Sequence, residues 1–67
     1  MSVAKITEIK ATSKKSFEDA IEKGIARACK TLKNVKSAWI AEQDVSIKDG
    51  KVDKYRVLMK VTFVLDD

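Results

Sequence analysis

Few side chains in this sequence are equipped for chemistry, and most of them fall close together. Trp39, the single tryptophan, sits in the small-sided run Ser37-Ala38-Trp39-Ile40-Ala41 and offers one broad aromatic plane. Such a ring either stacks on a planar ligand or fills a subunit boundary, where tryptophan is favoured. Just downstream, Glu42 and Asp44 alternate in what reads as a strand, so their carboxylates share one face. Carboxylate oxygens suit a divalent cation, but one chain supplies too few, so such a site must be shared between subunits. Arg56 can make a charge-assisted contact with a ligand phosphate, or with Glu42 or Asp44 of a neighbouring chain.

The rest of the composition mainly excludes. With no histidine there is no ordinary general base, and neither a Ser-His nor a Cys-His nucleophilic pair can form. Gly24 lies in a helical pattern and Gly50 in a turn, so no phosphate-cradling glycine loop is present and the chain reads as a non-enzyme. Cys29 has no partner for an internal disulfide; among Ala26, Ala28 and Leu32 it reads as a packed, inert thiol. One cysteine and no histidine also rule out a zinc site within one chain. The net charge of +4 comes from 14 basic and 10 acidic residues interspersed along the chain. That pattern is a solvated surface rather than a basic stripe, which argues against nucleic acid. No apolar run is long enough for a membrane span, and the expectation is a soluble cytoplasmic protein.

The elements that must position these groups follow from periodicity. Val3 to Ala11 reads as a first strand, although Ile6 and Ile9 fall on opposite faces, so either it is bulged or both faces meet apolar surface. Thr12-Ser13 is the expected helix N-cap, with Ser16 a second possible start. Phe17, Ala20, Ile21, Gly24, Ile25, Ala28 and Leu32 then form one helical stripe. Asp19 and Lys23 are spaced for an ion pair, and Asn34 suits the left-handed conformation that stops the helix. Lys36 to Lys48 reads as a second strand, with Trp39, Gln43 and Val45 on one side and Ile40, Glu42 and Asp44 on the other. Asp49-Gly50 marks a hairpin turn. The last strand carries Tyr55, Val57, Met59, Val61, Phe63 and Leu65 on one face. An ideal turn would set Glu42 against Val57, on the core face. A slip of one residue brings Gln43 and Ala41 there instead, so a bulge or longer loop is expected near the turn.

The fold class is therefore α+β: a single domain over residues 1–67, ordered β-α-β-β, with a three-stranded antiparallel sheet packed on one helix. A chain of 67 residues buries a small core. One helix covers one sheet face, leaving apolar surface and free edges that oligomerisation would cover.

That order, together with particular residues, resembles the dodecin family over the whole chain. The likeness rests on Thr12-Ser13 before the helix, Ala28 through Asn34-Val35 at its close, and Glu42-Gln43-Asp44 in the second strand. Lys54-Tyr55-Arg56 and Val61-Thr62-Phe63-Val64-Leu65 extend it into the third. The resemblance implies a hollow homododecamer of tetrahedral symmetry that stores and photoprotects a flavin (FMN, FAD or riboflavin) stacked on a tryptophan at two-fold interfaces. Carried onto this chain, the flavin site comprises Trp39 with Lys36, Ser37, Gln43 and Arg56, and Arg56 favours the phosphorylated flavins. Two positions depart from the pattern. Ser37 stands where the stacking tryptophan falls in flavin binders, and Arg56 where a glutamine meets the ring edge. The alternative is the branch lacking that tryptophan, a cage binding cations or other small ligands at subunit interfaces, with Glu42 and Asp44 as metal ligands.

Overall fold

The computed structural model describes residues 2–65. Strand β1 (Ala4–Ser13) is followed by helix α1 (Phe17–Thr31) and a long hairpin of β2 (Val35–Lys48) and β3 (Lys51–Val64). The three strands form an antiparallel sheet in the order β1-β3-β2, so β3 is central and both neighbours are edges. This is the expected β-α-β-β architecture.

The β1 to α1 junction differs from the expectation in an instructive way. Strand β1 continues through Thr12 to Ser13, which pairs with Tyr55, and the helix is capped by Ser16. The Ser16 hydroxyl accepts from the Asp19 amide at 2.9 Å, a contact worth about 1 kcal/mol. Ser13 is instead a buried knot. Its hydroxyl donates to the Asp19 carboxylate and accepts from the Lys15 amide at 2.9 Å. Asn34 does take the left-handed conformation, at φ 59°, but the helix stops before it: helical geometry ends at Thr31, and an extended Leu32 closes the last turn onto the Ala28 carbonyl.

The core lies between α1 and the β1/β3 half of the sheet. Val57, Met59 and Val61 of β3 are fully buried, as is Ala20 of the helix. Ile9, Ala11, Phe17, Ile21 and Ile25 pack around this centre. Phe17 meets Tyr55 edge-to-face at 5.1 Å, and Lys23 pairs with Asp19 at 3.1 Å as the spacing implied. Gly24 sets the helix height. A Cβ there would stand 2.5 Å from the Met59 methyl and 3.0 Å from the Ala11 Cβ, so a side chain at this position would have to displace the end of Met59 and press on β1. Ile6 and Ile9 do point to opposite faces of an unbulged β1, and Ile6 is left exposed.

The hairpin outreaches this core. A 15-residue helix is about 22 Å long, whereas a 14-residue strand spans about 47 Å. The molecule is accordingly 51 Å in its longest dimension, and Ile47 and Val52 near the hairpin tip are exposed. The turn itself is the two-residue form, with Asp49 at φ 53° and Gly50 at φ 75°.

A candidate ligand face on the outer side of the sheet

Three irregularities in the β2/β3 ladder decide which side chains share a face. The first lies near the turn, between Ser46 and Ile47, and brings Val45 opposite Tyr55 and Gln43 opposite Val57. The bulge expected there from the register argument is thus present. A second lies at Ala41, which is unpaired between Ile40↔Met59 and Glu42↔Leu58. Because strand alternation has period two, one extra residue reverses every assignment beyond it. Ile40, not Ala41, lies opposite Met59. Trp39 lies on the outer face, away from the helix, together with Glu42 and Asp44. The expectation that Trp39 and Gln43 share a side is overturned, since Gln43 lies on the helix side. The third irregularity leaves Lys36 unpaired between Val35↔Phe63 and Ser37↔Thr62.

The outer face is built of cross-strand rows. Thr12, Arg56 and Asp44 form one; Lys10, Leu58 and Glu42 the next; then Glu8, Lys60 and Trp39; then Ile6, Thr62 and Ser37. In the first row Arg56 grips Asp44 with both arms of its fork, Nε donating to Oδ1 at 3.0 Å and the terminal nitrogen to Oδ2 at 2.7 Å. This hydrogen bond is the main reason the Asp44 carboxyl is held below the usual aspartate range and the guanidinium is raised above its own. Arg56 thus has Asp44 of its own chain as a partner. In the third row the Lys60 ammonium sits 3.8 Å from Glu8 and 5.6 Å from the Trp39 ring centre. It therefore rests on an indole that is 46% exposed.

Glu42 stands between these two rows. It is exposed and makes no ion pair with another described residue. Together with Lys10, Asp44, Arg56 and Leu58 it borders a hollow of about 370 Å³, which Gln43 and Val57 complete. Among the described residues no three cysteine, aspartate or glutamate side chains gather closely enough to hold a metal within one chain.

The structure thus brings Trp39, Ser37, Glu42, Asp44 and Arg56 onto one face and separates Gln43 from them. Sequence reasoning missed Lys60, which rests on the indole, and Glu8, which meets Lys60 from the far strand. Their positions on alternate residues of β1 and β3 carried that information once the strand order was known. Cys29, expected to be packed, is exposed on α1. It follows the buried Ala28 and so lies off the apolar stripe.

The unit is thus a small α+β module with a short helix-covered core, an uncovered edge strand and a polar, aromatic-bearing outer face. The chain belongs to the dodecin family, whose model matches residues 3–66. It is 32% identical over 63 residues to the calcium dodecin of Mycobacterium tuberculosis, covering 94% of this chain and 89% of that one. The crystal structure of that protein, described as calcium chelating with a novel calcium-binding site, superposes with a TM-score of 0.83. The dodecin from Streptomyces davaonensis matches with a TM-score of 0.93 and 35% identity over 98% of this chain and 97% of that chain. A point mutant of the Thermus thermophilus dodecin matches with a TM-score of 0.94 and 33% identity over the full length of both chains.

Proposed function

We propose that this dodecin is a non-enzymatic cytoplasmic binding protein that assembles into a homododecameric cage and holds a divalent cation between subunits. The observation that carries this reading is the state of Glu42: an exposed carboxylate without an ion-pair partner, on the outer face of a strand that nothing in the chain covers. Its neighbour Asp44 neutralises Arg56, so the guanidinium charge is cancelled locally and does not oppose a bound cation. Calcium takes roughly six to eight oxygen ligands, and one carboxylate gives at most about two, so copies of Glu42 from several subunits must converge. The calcium dodecin relative supports the ligand class. A cage of this kind would sequester or buffer its ligand, since no group on the face can act as a tuned acid or base.

The second reading, flavin held against Trp39, is favoured by the exposure of the indole. Three features weigh against it. Lys60 already rests on the ring, Gln43 faces the other side of the sheet, and Arg56 is tied to Asp44. The two readings part in one pair of titrations on chelator-stripped, assembled protein. Calorimetry with calcium should give saturable binding that Glu42→Gln weakens at least about tenfold. FMN should keep its fluorescence. Saturable FMN quenching that Trp39→Ala abolishes, with no heat from calcium, would replace the first reading by the second.

A further inference from the structure

We infer, resting on the cation reading, that the ion at Glu42 binds together with a small oxyanion, a carboxylate or phosphate group seated on Lys10 in the same hollow. The strand registers put Lys10 and Glu42 on either side of Leu58, all three on the outer face. Two strand spacings hold the backbones of Lys10 and Glu42 about 10 Å apart. Neither side chain makes an ion pair among the described residues. An uncompensated ammonium and an uncompensated carboxylate therefore border one hollow of about 370 Å³.

Two features of this hollow call for an anion beside the cation. The first is charge. Arg56 is neutralised by Asp44, but nothing in the chain neutralises Lys10, which would repel a bare cation held at Glu42. An oxyanion between them sets ammonium, oxyanion, metal ion and carboxylate in an alternating row over Leu58, so that every neighbour attracts. The second is the supply of oxygen. Calcium takes roughly six to eight oxygen ligands, and Glu42 gives at most about two. Both Asp44 oxygens already accept from Arg56. An oxyanion brings further oxygens to the metal, and Lys10 donates charge-assisted hydrogen bonds to those left over. Leu58, half-buried beneath the row, has no polar side-chain atom to compete for either ion.

The test is calcium calorimetry on intact, assembled, chelator-stripped protein at constant ionic strength, in chloride, in acetate and in dimethyl phosphate. Neither organic anion precipitates calcium, and the one that acts identifies the head group as carboxylate or phosphate. The expected result is calcium binding tightened roughly fivefold or more by at least one of them, the low end of ordinary coupling between two sites, with the gain lost in Lys10→Met. Lys10 is exposed on an edge strand, and circular dichroism should confirm that the variant folds. Equal calcium affinity in all the salts would overturn the inference and leave the cation reading in place. A gain that persists in Lys10→Met would overturn it as well, because the anion would then sit elsewhere. Tighter binding by Lys10→Met in chloride, with no gain from either anion in wild type, would reduce Lys10 to a repelling charge. Absence of calcium binding in every salt would end the cation reading and this inference together.

Discussion

The two halves of the sheet differ in what completes them. Where β1 and β3 lie under α1, the chain completes itself: Val57, Met59 and Val61 are fully buried and the Ser13 knot is satisfied. Strand β2 pairs along β3 but lies beyond the helix, and every residue from Lys36 to Asp44 is exposed, including Trp39 and Ile40. An edge strand of 14 residues with exposed apolar side chains on both faces is a liability in a lone chain. The contrast separates the parts that specify the fold from the parts that the proposed function assigns to assembly and ligand. Single substitutions should report on one half or the other.

The largest effect belongs to the covered half. Met59→Ala removes the side chain on which Gly24, Ala20 and Ile9 all pack, and a buried Met→Ala change costs about 2–5 kcal/mol. Urea unfolding at fixed protein concentration should show the loss, concentration being fixed because subunit association adds to apparent stability. In the uncovered half, Ile40→Asp should leave the far-ultraviolet circular dichroism of the folded chain in place while light scattering reports smaller assemblies. If Ile40→Asp unfolds the chain outright, or leaves the assembly intact, the division between the halves is drawn wrongly.

A smaller effect compares two aspartates held low for different reasons. Asp19, at the core junction, is lowered chiefly by the Ser13 hydrogen bond, and Asp44, on the outer face, chiefly by the Arg56 hydrogen bond. Both have folded values below the unfolded aspartate value of about 3.9. Each therefore contributes stability that is fully present above that pH and is lost as the pH falls through the lowered folded value. Carboxyl resonances followed by NMR should show Arg56→Gln returning Asp44 toward the ordinary value while Asp19 stays low. Ser13→Ala should do the reverse. Movement of both together in either variant would mean that the two regions are electrically coupled.

Much of this division was legible in the sequence. The unbroken alternation of β3 and the helical stripe through Gly24 named the core, and Asp49-Gly50 named the turn. The need for Gln43 rather than Glu42 opposite Val57 pointed to the bulge beside that turn. What was not legible was the second bulge, at Ala41. In the run Ala38-Trp39-Ile40-Ala41 apolar residues occupy both faces, so alternation gives no contrast to betray an inserted residue. That one residue decides whether Trp39 faces with Gln43 or with Glu42 and Asp44, and so which ligand the face suits. The cap was misplaced for a related reason: Ser13 and Ser16 both match a cap pattern. The choice between them depends on the pairing of Ser13 with Tyr55, a contact distant in sequence.

The central claim is that a divalent cation binds on the outer face of the sheet beside Trp39. Neighbouring rows on one face are about 7 Å apart along a strand, so a cation at Glu42 lies close to the indole. The most direct measurement is terbium luminescence excited through Trp39 in the assembled, chelator-treated protein. The account predicts saturable sensitised emission that calcium displaces and that Glu42→Gln removes while the assembly stays intact. Emission that is absent from the folded assembly, or unchanged in Glu42→Gln, would contradict it.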